Sequence, residues 1–272
     1  FQDIAQADSS AILSIIIGGV IFNLSNICLS ASTSIAGMSV AFPVGCGLAL
    51  VLGVINNLRV EMSQGALKSN LTLLAIGVAL VVVAVILNGI ASGKKAGNAE
   101  ISKADQRKGI ILAVVAGVVM SFFSSFVMKA MDLKDFANME PGKVGPYTAI
   151  VVFSLSVLVS HFVFGPIFMK WPFQGAPVKM SEYFKGNSKT HLVGMLGGCI
   201  WCLGTALSYI AAGKAGASVS YALGQGAPMV AAIWGVFVWK EFKGSNKTVY
   251  NLLGMMFLFF IVGLGMIVAA GM

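Results

Sequence analysis

Gly18-Gly19-Val20-Ile21-Phe22-Asn23-Leu24 returns 179 positions later (197 − 18) as Gly197-Gly198-Cys199-Ile200-Trp201-Cys202-Leu203. At the same offset Ala36-Gly37-Met38-Ser39-Val40 falls on Ala215-Gly216-Ala217-Ser218-Val219, and Gly45-Cys46-Gly47 falls on Gly224-Gln225-Gly226. Positions 18–47 and their counterparts hold ten identities without a gap. Apolar sequence produces chance matches, but paired glycines and a shared Ala-Gly-x-Ser-Val turn are harder to obtain that way. A repeat of this length governs the architecture.

Both copies lie in long uncharged runs. Ser9 to Leu58 holds no charged residue over 50 positions (58 − 9 + 1). A membrane-crossing helix needs about 20 mostly apolar residues, so this run divides into two spans at Thr33–Gly37. Further runs are Ser69–Gly93, Gly109–Met128, Tyr147–Met169 (interrupted only by His161), Leu192–Gly213, Ala215–Trp239 and Thr248–Met272. The reading is an all-α polytopic membrane protein with eight visible helices. Strand barrels are excluded, because their segments alternate and run about 10 residues. Hydrophobic residues make up 57% and charged residues 10%, with mean hydropathy +0.89; a soluble fold cannot hide that much apolar surface.

The net charge of +8 does not point to nucleic acid, because Lys and Arg sit in the gaps between apolar runs. The face holding Phe1 receives six of them (Arg59, Lys68, Lys129, Lys134, Lys143, Lys214) and the opposite face the other twelve. Positive charge is retained in the cytoplasm. This predicts both chain ends outside, the loop Lys94–Lys108 inside, and residence in the plasma (inner) membrane. The first residues carry Asp3 and Asp8 without Lys or Arg, unlike the basic start of a signal peptide.

Spans one to three recur as spans six to eight, the third pair aligning Gly77 with Gly254 after a two-residue shift. A shift of five helices is odd, so the copies enter the membrane from opposite sides. Inverted repeats of this kind are a transporter signature, since two equivalent halves can exchange conformations around a central site. The second unit has two more spans ahead of its repeat. A complete unit would have five helices, and the expectation is that two helices are missing from the first; a true eight-helix protein is the alternative. The division is 1–93 for the first repeat, 94–108 for a cytoplasmic linker and 109–272 for the second repeat.

Five-plus-five inverted helices are the plan of the drug/metabolite transporter superfamily. Gly18–Asn26 followed by Ala36–Val40, Ala116–Phe126 and Trp234–Phe242 together resemble the ureide permease family. The resemblance implies ten helices and proton-coupled uptake (symport) of ureides such as allantoin and nucleobases such as uracil. A sister group moves sugars. The short central loop differs from the plant pattern.

Every Asp and Glu is expected in a loop or at a membrane edge, which argues against a charged substrate and favours a small neutral polar one. The possible proton-coupling residue is His161, which lies deep in a span and whose ordinary pKa of about 6.5 suits exchange; a neutral imidazole bonded to a neighbouring helix is the other reading. The proposed substrate-binding residues are Asn23, Asn26, Trp201, Thr205 and Gln225. Asn23 and Asn26 share a helix face and offer amide donors and acceptors. Trp201, which aligns with Phe22, presents a flat ring on the face that carries Thr205. Gln225 sits in Gly224-Gln225-Gly226-Ala227-Pro228, a helix break matched by Pro43-Val44-Gly45-Cys46-Gly47, and paired breaks point to a transport site. Interhelical hydrogen bonding and packing are the plainer uses of all five.

Ser121, Ser124 and Ser125 form a weaker polar set. Lys240-Glu241 suggests an interfacial ion pair. Cys199-Ile200-Trp201-Cys202 lies inside an uncharged span without a second pair at metal spacing, so it reads as packing. No triad, phosphate loop or metal-ligand cluster is present in the sequence, so enzyme, cofactor and metal readings fall away. Besides a ureide or nucleobase carrier, two readings stay open: a carrier of glucose-, ribose- or rhamnose-like sugars, and a non-transporting membrane scaffold.

Overall fold

The computed structural model of the chain describes residues 2–96, 103–240 and 242–272. A short helix α1 (Gln2–Gln6) precedes α2 (Ser9–Ala36), α3 (Met38–Gln64), α4 (Leu71–Ala96), α5 (Lys103–Ala130) and α6 (Pro146–Lys170). Another short helix, α7 (Met180–Phe184), precedes α8 (Ser188–Ala215), α9 (Ala217–Gly224), α10 (Ala227–Ile233) and α11 (Lys247–Ala270). Trp234–Val238 continues α10 as a π-helical turn. Eight stretches are long and apolar enough to cross a membrane, with α9 and α10 together making one of them. Among the described residues β-structure is limited to isolated bridges at Ala7–Gly142 and Met131–Val144.

The caps explain where helices start and stop. Asn187 and Asn246 accept backbone N–H bonds at the starts of α8 and α11, satisfying donors that a helix leaves free. Pro146 opens α6, where its missing N–H costs nothing. Gly37 (φ 79, ψ 158) separates α2 from α3, and Gly216 (φ 88, ψ 155) separates α8 from α9. A side chain rarely adopts that backbone, so the shared Ala-Gly-x-Ser-Val motif is a helix-to-helix corner that needs its glycine.

The 179-residue spacing persists in the backbone. Helix α2 spans 28 residues from Ser9 to Ala36, and α8 spans 28 from Ser188 to Ala215. Each end differs by 179, as do the starts of α3 at Met38 and α9 at Ala217.

Helix α2 packs on α5 and α6, α3 on α4, α5 and α9, and α4 along α11, while α8 rests on α9 and the edge of α6. One apolar core joins α3, α4, α9 and α11 through residues such as Leu50, Val81, Met256 and Phe260. A second joins α2, α5, α6 and α8 through Ile15, Met128, Phe153 and Tyr209. Small residues set the closest approaches. A Cβ on Gly77 would sit 2.8 Å from the Gly263 carbonyl, and one on Gly263 would sit 2.9 Å from the Gly77 carbonyl.

Helix α4 reaches Ala96 and α5 starts at Lys103; residues 97–102, inside the linker expected over 94–108, lie outside the described set, as does Glu241 of the suggested Lys240-Glu241 pair. One expectation needs correction. The expected pair of helix breaks is a single break. α9 stops at Gly224 and α10 starts at Ala227, whereas α3 runs unbroken through Pro43 and Gly47.

Outside the spans, Asp3 of α1 ties the chain start to α6. It accepts from the Gly145 N–H at 2.8 Å and from Thr148 Oγ1 at 2.7 Å. Burial pushes its carboxyl up, but the bonds from Gly145 and Thr148 outweigh burial and leave it below the ordinary carboxylate range.

Candidate solute-binding site

Helices α2, α5, α6, α8 and α9 bring six aromatic rings together. Phe22 stacks on Trp201 with centroids 4.7 Å apart and planes 25° apart. Phe22 also meets Phe123 at 5.1 Å and Phe153 at 5.7 Å. Tyr221 lies 6.1 Å from Phe123, and Tyr209 lies 6.1 Å from Phe153. Phe22 and Trp201 are the residues that the repeat pairs, so the two halves touch ring to ring at matching positions. Trp201 keeps 42% of its surface exposed, leaving ring face for a flat solute.

Beside this cluster lies a polar triad. Asn23, next to Phe22 in sequence, is buried, and its Nδ2 donates to Ser160 Oγ at 2.9 Å. His161 Nδ1 lies 3.4 Å from Asn23 Oδ1. Ser160 passes its own proton to the Val157 carbonyl at 3.0 Å. Gly165 leaves room beside the other ring nitrogen, since a Cβ there would sit 3.3 Å from His161 Nε2. When Nδ1 carries the proton it donates to the amide oxygen.

The other sequence candidates do not join the triad. Asn26 is exposed, so the two amides of α2 do not act as a pair. Thr205 Oγ1 donates to the Trp201 carbonyl at 3.0 Å, which commits its proton to its own helix. Gln225 lies in the α9–α10 break, where its N–H and that of Gly226 close tight turns onto Ala222 and Leu223. No described contact connects it with Asn23 or Trp201 among the described residues.

Asn56 and Asn57, the partners of the serine set on α5, and the burial of Glu61 escaped the sequence reading. Between α3 and α5, Asn56 Nδ2 donates to the Ser121 carbonyl at 3.2 Å, and Ser124 Oγ donates to Asn57 Oδ1 at 3.2 Å. Adjacent asparagines inside an uncharged run were the available signal. Glu61 is placed at a membrane edge by its sequence position but is fully buried in the fold. Its Oε1 accepts from the Ser218 N–H at 2.6 Å and the Ser218 hydroxyl at 2.8 Å. The first turn of α9 has free N–H groups and the positive end of its helix dipole there. A Cβ on Gly216 would lie 2.8 Å from Glu61 Oε1, so the corner glycine also makes room for the carboxylate. Glu61 Oε2 is buried without a hydrogen-bond partner. Tyr221 adds a further link between the halves, its hydroxyl donating to the Ala49 carbonyl at 2.9 Å.

A groove of about 520 Å³ opens between α2 and α6. Ile16, Val20, Leu155, Val159, Val163 and Phe164 line it. Its two serines are already bonded to carbonyls of Ile16 and Val157. Such a lining suits a lipid chain better than a polar solute.

The ureide permease family model matches residues 100–270. The chain belongs to the ureide permease family. It is 27% identical to ureide permease 1 of Arabidopsis thaliana over 163 residues, which is 60% of this chain and 42% of that protein. It is 24% identical to ureide permease 2 and 24% identical to ureide permease 4 of the same plant, over 163 residues each, covering 41% and 40% of those proteins. The chain thus spans about two fifths of the length of the curated relatives it matches. No solved structure matches it. Membership makes it an integral, multi-pass membrane protein of a permease family rather than an enzyme. The family match contains His161, Trp201 and Ser218; Asn23 and Glu61 lie outside it and meet it across the interface between the repeats.

Proposed function

We propose that this ureide permease family member is a secondary transporter that carries a small neutral polar solute, a ureide or nucleobase, by alternating access. The observation that carries the reading is the stacked Phe22–Trp201 pair with Asn23, Ser160 and His161 beside it. A planar heterocycle stacks on Trp201 while its N–H and C=O edge takes the place of Ser160 on Asn23, whose amide offers both polarities. His161 then links solute occupancy to a proton, because Asn23 Oδ1 is the acceptor that both solute and imidazole address. Glu61 on Ser218 and Tyr221 on Ala49 hold the halves together, and release of such contacts opens the site to one face. The superfamily plan, the proton as partner, the lipid surround and the plasma (inner) membrane belong to the same proposal.

The test is uptake of labelled uracil into cells, with excess unlabelled allantoin, xanthine, glucose or ribose. It is run at about pH 5.5 and about pH 7.5, on either side of the ordinary imidazole pKa of about 6.5. Uptake blocked by allantoin and xanthine, faster at the lower pH, and insensitive to pH in His161→Ala is the expected result. A signal only with labelled sugar would reassign the solute, and no uptake of any solute with a partner protein retained would return the chain to the scaffold reading.

A further inference from the structure

Glu61 carries a titratable group that neither the ring stack nor the Asn23–His161 contact uses, and only one of its oxygens is satisfied. Oε1 takes both donors of Ser218, at 2.6 Å and 2.8 Å. Oε2 is buried without a hydrogen-bond partner, and the residue as a whole is 0% exposed. A carboxylate removed from water needs its charge compensated and its lone pairs filled. The first turn of α9 does this at Oε1 alone.

The elements packed on α3 bring no counter-ion to Oε2. Helices α2 and α9 carry no charged residue, and Tyr221 of α9 donates to the Ala49 carbonyl. Helix α4 has Lys94 and Lys95 at its opposite end, as α5 has Lys103, Asp105, Arg107 and Lys108. Lys129 ends α5, Lys214 ends α8, and Arg59 lies on α3 itself; all three are exposed. The field of Lys68, in the turn after α3, reaches Glu61. Its ammonium, however, donates to the Leu133 carbonyl at 3.2 Å and to the Gly213 carbonyl. Among the described residues no three His, Cys, Asp or Glu side chains gather around a metal position either.

Neighbouring segments strand more polar atoms. Tyr209 Oη on α8 and Ser220 Oγ on α9 are also buried without partners, so three of the four such atoms among the described residues lie on α3, α8 and α9. Helix α9 packs on both of the others. Native folds leave few polar atoms in this state. Water that entered as α9 moved away from its neighbours would supply partners to all three.

We propose that Glu61 is a proton-binding site that controls the parting of α9 from α3. With a proton on Oε2 the carboxyl is neutral, Oε1 still accepts from Ser218, and the interface closes dry. An O–H without a partner costs less than a bare charge, so the closed interface goes with the protonated form. When that proton leaves for water, the charge on Oε2 draws water between α3 and α9, and the contact opens. One proton is bound on closing and one is released on opening. The site is separate from His161, which faces Asn23 on the contact of α2 with α6. What the opening serves rests on the alternating-access reading; the proton site itself does not.

The test uses Ser220→Cys as a reporter of the interface, in open membrane fragments holding the complete protein, labelled by a water-soluble maleimide across a pH series. Labelling above that of the native cysteines is compared between the protein with Glu61 and the same protein with Glu61→Gln, which cancels the pH dependence of the thiol reaction. With Glu61 in place the labelling ratio should rise with pH, by up to about tenfold per pH unit for one proton. Equal pH dependence in the two backgrounds, or a ratio that rises on acidification, overturns the proposal. Infrared spectra near neutrality give the second measurement. A protonated-carboxyl band that shifts in heavy water is expected in the parent and not in Glu61→Gln; its absence from the parent overturns the proposal independently. If Glu61→Gln yields no folded protein, Ser218→Ala must shift the band, because it removes one of the two donors to Oε1, and an unmoved band counts against the site. Neither measurement reads uptake, so a failed uptake assay defeats the alternating-access reading while the label and the band still decide this one.

Discussion

Helices α3 and α9 begin at equivalent positions, each after a glycine with φ near 80–90°, but α3 continues for 27 residues and α9 stops after 8. Their glycines correspond, Gly45 and Gly47 with Gly224 and Gly226, so glycine alone does not break the helix. The prolines differ. Pro43 precedes its glycine pair and Pro228 follows its own. Proline removes the N–H that bonds the carbonyl four residues earlier and crowds that carbonyl. For Pro228 that carbonyl belongs to Gly224, the last residue of α9. For Pro43 it belongs to Ser39, in the first turn of α3, where the hydrogen-bond ladder is only beginning. A break therefore needs proline downstream of the flexible glycines, and only the second half has that order. The consequence is one rigid crossing helix in the first half facing a jointed one in the second.

The largest test of that contrast moves the proline. Ala49 occupies the register of Pro228 (49 + 179 = 228) and is buried in α3. Ala49→Pro should destabilise the protein by about 3 kcal/mol or more, measured as loss of folded protein in a detergent melting series; an unchanged melting temperature would sink the explanation. Next in size is Glu61→Ala. It strips the Ser218 N–H and hydroxyl of their shared acceptor at the start of α9, and should cost about 2–3 kcal/mol. Glu61→Gln keeps one carbonyl oxygen and should cost less. Equal losses for both would mean that packing, not hydrogen bonding, sets the effect.

A smaller effect concerns pH. Asp3 holds the start of α6 as Glu61 holds the start of α9. Because its folded-state carboxyl lies below the ordinary range, its contribution is complete above the unfolded value of about 3.9 and is lost as pH falls through the lower folded value. Asp3→Asn should therefore be less stable than the parent near neutrality and should converge with it in acid; melting curves that stay parallel across that window would contradict the assignment. The smallest effect is that of Pro228→Ala, under about 1 kcal/mol, since proline in a first helical turn removes no bonded N–H. Its value lies in uptake: if the joint matters for alternating access, the rate falls while the melting temperature hardly moves.

The sequence determined the class, the number of spans, and the corner glycines Gly37 and Gly216 with their fixed offset, because each depends on local properties. Those properties are apolar run length, the conformational freedom of glycine, and recurrence at a fixed offset. It also identified Asn23, His161 and Trp201 as candidates, since polar and ring side chains inside uncharged runs stand out. What it did not determine was which candidates meet. Asn23 and Asn26 share a helix face by spacing, but only the neighbour α6 decides that Asn23 is covered and paired while Asn26 is left exposed. Thr205 satisfies itself on its own helix, and Gln225 sits in the turn between α9 and α10. Glu61 reads as an edge residue until α9 is folded onto it, 157 positions away. Packing between distant segments decides burial, and burial decides whether a polar group is a surface charge, a helix cap or a binding group. For that reason only the tertiary structure distinguished them.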